Sequence, residues 1–79
     1  MKSGKLISIL EELHPDVDYG TNIRLVGEGI LTSLDIVTLV GEINDAFDIS
    51  IPAHEITEEN FNSVSAITAL IQRLEEMEA

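Results

Sequence analysis

Three stretches of this chain space their apolar residues at the helical period, and none shows the two-residue alternation of a half-buried strand. Leu6, Ile9, Leu10 and Leu13 follow the i, i+3, i+4, i+7 pattern, so residues 3–14 read as an amphipathic helix. Pro15 ends it, because the residue before a proline is pushed out of the helical region. Ile36, Leu39, Val40, Ile43, Ala46 and Phe47 fall within one arc at about 100° per residue, which predicts a second helix over Ser33–Phe47. Thr32 and Asp35 have the spacing of a capping box at its start. A final helix starts near Ser63 and uses Val64, Ile67, Leu70, Ile71 and Leu74, with Met77 at the end of the stripe.

Two connections separate these helices. Residues 15–31 are longer than the usual helix–helix link, which favours a functional or self-packed loop over a spacer. Tyr19, Ile23, Leu25, Val26, Ile30 and Leu31 supply its apolar anchors. After Pro52 a short helical turn is expected around Thr57–Phe61, with Thr57 as cap and Glu58 and Glu59 in the first turn. The expected fold class is all-α. Three long helices and one short one make a four-helix bundle, as a single domain over residues 1–79.

Charge restricts what such a bundle can bind. The chain has 4 Lys and Arg against 15 Asp and Glu, a formal net charge of −11. Its hydrophobic fraction is 44%, too high for a disordered acidic tail. The forty-eight residues between Arg24 and Arg73 contain no Lys or Arg. They do contain eight acids: Glu28, Asp35, Glu42, Asp45, Asp48, Glu55, Glu58 and Glu59. Nucleic acid and anionic lipid are therefore not expected partners, since both are held by basic side chains. A field of this sign attracts basic protein surfaces, although acidity also serves solubility alone. No apolar run reaches the roughly 18 residues of a membrane span, and the N-terminus lacks a signal core, so a cytoplasmic monomer is expected.

The far side of the second helix breaks its polar pattern. Leu34, Val37 and Gly41 lie roughly 100–160° from the core direction, and Asp35, Glu42 and Asp45 flank them. Apolar branched side chains ringed by acids suggest a docking patch, against the plainer reading that single exposed Leu and Val residues are ordinary.

Catalytic constellations are missing. With no cysteine there is no thiol nucleophile, disulfide or zinc-thiolate site. His14 and His54 are forty positions apart with no helical i,i+4 partner, which favours surface histidines over a metal site. The run Asp16-Val17-Asp18-Tyr19-Gly20 opens like a calcium loop but fails, with Thr21 where glycine is required and Gly27 where glutamate is required. Neither a phosphate-cradling glycine loop followed by Lys nor a nucleophile elbow around Ser33 is found. The chain is not expected to be an enzyme.

The segment Gly29-Ile30-Leu31-Thr32-Ser33-Leu34-Asp35-Ile36-Val37-Thr38-Leu39-Val40, followed by Phe47-Asp48-Ile49-Ser50-Ile51-Pro52, resembles the acyl carrier protein family. That family opens its second helix on Asp-Ser-Leu, continues as an acidic amphipathic helix and places Ile-Pro after an aromatic residue. The resemblance runs over nearly the whole chain and implies a bundle of acyl-carrier type. It implies that Ser33 bears 4′-phosphopantetheine, transferred from coenzyme A by a phosphopantetheinyl transferase. The arm would carry acyl groups as thioesters in fatty acid or related acyl biosynthesis. Leu34, Asp35, Val37, Glu42 and Asp45 would meet the basic docking surfaces of acyl- or aminoacyl-activating and transferring enzymes.

Three positions depart from the pattern. Thr32 replaces the usual acid before the serine, Gly41 replaces a larger apolar residue, and Thr38 stands where an acid is often found. Thr32 can still cap the helix but brings no charge to a partner, which points toward a specialised carrier. An aminoacyl or peptidyl carrier is therefore the second reading. A non-catalytic acidic interaction domain that has lost the cofactor is the third.

Overall fold

The computed structural model describes the backbone of residues 2–19 and 24–78, and side chains over 4–19 and 24–77. The described residues form four α-helices, α1 (Lys2–Leu13), α2 (Ser33–Phe47), α3 (Glu58–Phe61) and α4 (Val64–Glu78), with a 3₁₀ turn at Ala53–Glu55 before α3. No strand occurs among the described residues. The expected all-α bundle with one short helix and a long first loop is the observed one. The 3₁₀ turn was not anticipated.

Local chemistry explains the helix boundaries. The Thr32 hydroxyl accepts from the Asp35 N–H at 3.2 Å, and Asp35 Oδ2 accepts from the Thr32 N–H at 3.1 Å, completing the expected capping box. Thr57 caps α3 by accepting from the Asn60 N–H at 3.2 Å, and the Ser63 hydroxyl accepts from the Ala66 N–H at 3.1 Å at the head of α4. At the far end of α2, Asp48 takes the left-handed conformation (φ 54°, ψ 50°) and its N–H returns to the Asn44 carbonyl.

The apolar stripes meet in one core. Leu6, Ile9 and Leu10 of α1, Leu39 and Ile43 of α2, Phe61 of α3, and Ile67, Leu70, Ile71 and Leu74 of α4 are buried. Ile36, Val40, Ala46, Phe47 and Val64 pack half-buried at its edge. Met77 does not join it: at 74% exposed it lies beyond Leu74, the last buried residue of α4 among those described. Helix α4 packs on α1 and α3, and α1 packs on α2. The first loop contributes Tyr19, Leu25 and Leu31 as buried anchors, with Val26 and Ile30 half-buried. Gly20, Thr21 and Ile23, also read from the sequence, lie outside the described residues.

Polar contacts fasten the loop's two described ends. The Tyr19 hydroxyl lies 3.0 Å from the Leu10 carbonyl and 2.9 Å from that of His14, so it tethers the loop to the end of α1. Asn62, between α3 and α4, holds the other end. Its Oδ1 accepts from the Val26 and Gly27 N–H groups at 3.0 and 2.9 Å, and its carbonyl accepts from Leu25 at 2.8 Å. Gly29 then turns the chain with φ +78°, where a β-carbon would be strained, and delivers it to Thr32.

Candidate functional site

Ser33 is the first residue of α2, exposed, just past the end of the long loop. Its neighbours do the capping. Thr32 is the N-cap and Asp35 the reciprocal partner, so the alternative role for this serine, that of a cap, belongs to Thr32. The Ser33 hydroxyl thus stands exposed at a helix N-terminus, where unsatisfied N–H groups and the dipole favour a phosphodiester. An exposed hydroxyl with no capping task, at such an end, fits covalent phosphopantetheine.

The next turn carries the exposed apolar pair. Leu34 is 75% and Val37 68% exposed, whereas Leu39 and Ile43 on the opposite arc are buried. Gly41, one turn beyond Val37, is exposed, and a β-carbon there would meet nothing within 4 Å, so the patch is shallow at that end. Glu42 and Asp45 are exposed beside it. The Thr38 hydroxyl turns back to donate to the Leu34 carbonyl at 3.1 Å.

Asp35 differs from the other two acids. Its side chain is only 22% exposed, and the oxygen that completes the capping box also lies 2.9 Å from His14 Nε2. The His14 hydrogen bond, followed by that from the Thr32 backbone, holds the Asp35 carboxyl below its ordinary range. Asp35 therefore works inside the fold, while Glu42 and Asp45 face solvent. His14, expected as a surface histidine, is 35% exposed at its side chain and is bonded to Asp35. It lies twenty-one positions before Asp35, and no local pattern signals such a pair.

Acidity elsewhere on the bundle is partly matched. Glu55 faces Arg73 in a two-pronged contact of 3.1 and 3.3 Å and accepts from Asn60 Nδ2 at 3.2 Å, which ties the 3₁₀ turn to α3 and α4. His54 is exposed in that same turn. Among the described residues, no group of three or more His, Cys, Asp or Glu side chains could hold a metal ion. No helix is long and apolar enough, over the described residues, to cross a membrane.

A small helical bundle with a serine at the head of its second helix and an acidic, apolar-studded face beside it has the parts that a carrier-type protein needs. Comparison with known families gives the same answer. The phosphopantetheine attachment site family matches residues 5–71, and the chain belongs to that family, whose domains carry 4′-phosphopantetheine covalently. Such domains are carriers and not catalysts, and other enzymes load and unload them.

Among curated proteins, the chain is 38% identical over 66 residues to the D-alanyl carrier protein of Lactococcus lactis subsp. cremoris, covering 84% of this chain and 78% of that protein. It is 40% identical over 63 residues to aminoacyl carrier protein 1 of Bradyrhizobium diazoefficiens, covering 80% and 69%. The D-alanyl carrier protein of Listeria monocytogenes is 32% identical over 71 residues, covering 87% and 91%. No solved structure matches the chain significantly.

Proposed function

We propose that this protein carries an aminoacyl group as a thioester on a phosphopantetheine arm attached to Ser33. The observation that carries the attachment site is the division of labour at the head of α2, where Thr32 and Asp35 cap and the exposed Ser33 does not. In loading, the Ser33 oxygen forms a bond to the phosphorus bearing pantetheine, and the pyrophosphate bond of coenzyme A breaks. The adenosine bisphosphate portion leaves and the hydroxyl proton passes to the transferase. This chain supplies the nucleophilic oxygen, the fixed backbone around it and the docking face.

The aminoacyl cargo is supported by relatives named for D-alanine and for amino acids. The fatty-acyl cargo that the family resemblance first implied gains no support from those relatives. Physical chemistry agrees with the shorter cargo. An aminoacyl thioester carries an ammonium group, which the acidic surface attracts, and it needs no burial of a long chain in the core.

Leu34 and Val37 anchor the partner enzymes in this reading, and Glu42 and Asp45 draw in their basic surfaces. Asp35 shapes the face from within. The cytoplasm, where coenzyme A and activating enzymes are found, is the expected compartment.

The test is to offer the loaded carrier to an amino-acid-adenylating enzyme with ATP and labelled D-alanine, and separately to a fatty-acyl ligase. Label bound as a hydroxylamine-labile thioester in the first reaction supports the aminoacyl reading. Charging only in the second overturns it.

A further inference from the structure

We propose that His14 is a positioning residue for the modification of Ser33: its hydrogen bond to Asp35 holds the serine-bearing turn in the orientation that a transferase engages. This rests on Ser33 being the attachment residue.

The geometry begins with one oxygen. Asp35 Oδ2 lies 2.9 Å from His14 Nε2 and 3.1 Å from the Thr32 N–H. An ionised carboxylate only accepts hydrogen bonds, so Nε2 must carry the proton and donate. That oxygen thereby joins the residue that follows α1 to both members of the capping box, and Ser33 lies between Thr32 and Asp35 in the chain. His14 opens the long loop and Thr32 closes it, so the contact fastens the base of the loop from which Ser33 emerges.

His14 is itself held. Its N–H donates to the Leu10 carbonyl at 2.9 Å, continuing the last turn of α1, and its carbonyl lies 2.9 Å from the hydroxyl of buried Tyr19. The imidazole therefore projects from a fixed point. Its reach across to α2 transmits that fixity to the turn bearing Ser33.

Without this contact, the head of α2 keeps its capping box but loses the tie that His14 makes from the end of α1. A partner that binds one orientation of a turn sees its affinity reduced by the fraction of time the turn spends elsewhere. Losing one charge-assisted hydrogen bond shifts such a balance by about tenfold to a hundredfold, so a turn held about ten to one in the parent loses about twofold to tenfold in apparent affinity. The same contact explains why Asp35 is a poor site for a test of docking. Changing it removes the cap and the tie together.

The experiment measures initial rates of phosphopantetheine loading against carrier concentration for the parent, His14→Ala and His14→Gln. Circular dichroism first shows that each is folded. Glutamine places an amide N–H donor near the position of Nε2. The expected result is a KM raised about twofold to tenfold in His14→Ala with kcat unchanged, and a return to near the parent value in His14→Gln. A role in stability alone would lower the melting temperature without this pattern of KM loss and rescue. Should His14→Ala not fold, His14→Phe fills the ring's volume without a donor and takes its place.

A parent KM in His14→Ala overturns the inference, as does a His14→Gln variant as impaired as His14→Ala. A parent that accepts no phosphopantetheine overturns the Ser33 reading itself, and this inference with it.

Discussion

Lys5, near the start of α1, caps the opposite end of α2: its Nζ donates to the Ala46 carbonyl at 2.6 Å and lies 5.2 Å from the centre of the Phe47 ring. At the other end of the same helix pair, His14 holds Asp35. The two helices are antiparallel, and each end of the pair has a polar clasp. A cation at a helix C-terminus meets unsatisfied carbonyls and the negative end of the dipole.

Lys5→Met keeps much of the alkyl stem and removes the charge. It is expected to destabilise the fold by about 1 kcal/mol, combining an exposed charged hydrogen bond with an exposed cation–π contact. Chemical denaturation checks this. An unchanged midpoint at unchanged slope would show that the clasp contributes nothing.

Asp48 offers a gain in stability. It is the one non-glycine residue with positive φ among those described, and it places a negative charge at the C-terminus of α2. Asp48→Gly relieves both penalties and adds only the extra freedom of glycine in the unfolded chain. The expected net effect is stabilisation by about 0.5–1 kcal/mol. A lower denaturation midpoint would contradict it.

Acid should remove a specific contribution. The Asp35 carboxyl is held below its ordinary range in the fold, so its stabilisation is complete above the unfolded value and is lost as pH falls through the folded one. The stability difference between the parent and Asp35→Asn should be constant above about pH 5 and shrink below about pH 4. Denaturation curves from pH 7 to pH 2 measure it. A difference that holds steady down to the lowest pH would contradict the role assigned to these hydrogen bonds.

Much of the site could be read along the chain because its signals are local. The apolar period and the Thr32–Asp35 spacing define α2 as Ser33–Phe47, and the same helical wheel exposes Leu34 and Val37. Thr57 marked α3 for the same reason. The contacts that orient the site are different in kind. His14 reaches Asp35 across the long loop, and Asn62 clamps Val26 and Gly27 from more than thirty residues away. A side chain bonded to distant backbone or to a distant acid leaves no periodic trace. The Ala53–Glu55 turn is too short to show any period, and Met77 satisfied the stripe in a final turn that extends past the core.

Docking should separate charge from anchor. Asp45→Lys changes an exposed rim charge on α2 and should slow association with a basic transferase while flattening its dependence on salt. Val37→Ala should instead speed dissociation, costing around 1 kcal/mol of binding. Stopped-flow binding at several ionic strengths distinguishes the two. If Asp45→Lys associates as fast as the parent at low salt, the docking face lies elsewhere on the bundle.

Attachment at Ser33 is the claim on which the rest depends, and intact mass spectrometry tests it directly. The parent and Ser33→Ala are each incubated with a phosphopantetheinyl transferase and coenzyme A. Because Ser33 has no capping role, the alanine variant should keep the helical circular dichroism of the parent. The parent should gain the mass of one phosphopantetheinyl group and Ser33→Ala should gain none. An adduct that persists in Ser33→Ala, or that peptide mapping places on Ser3, Ser8, Ser50, Ser63 or Ser65, would contradict the account.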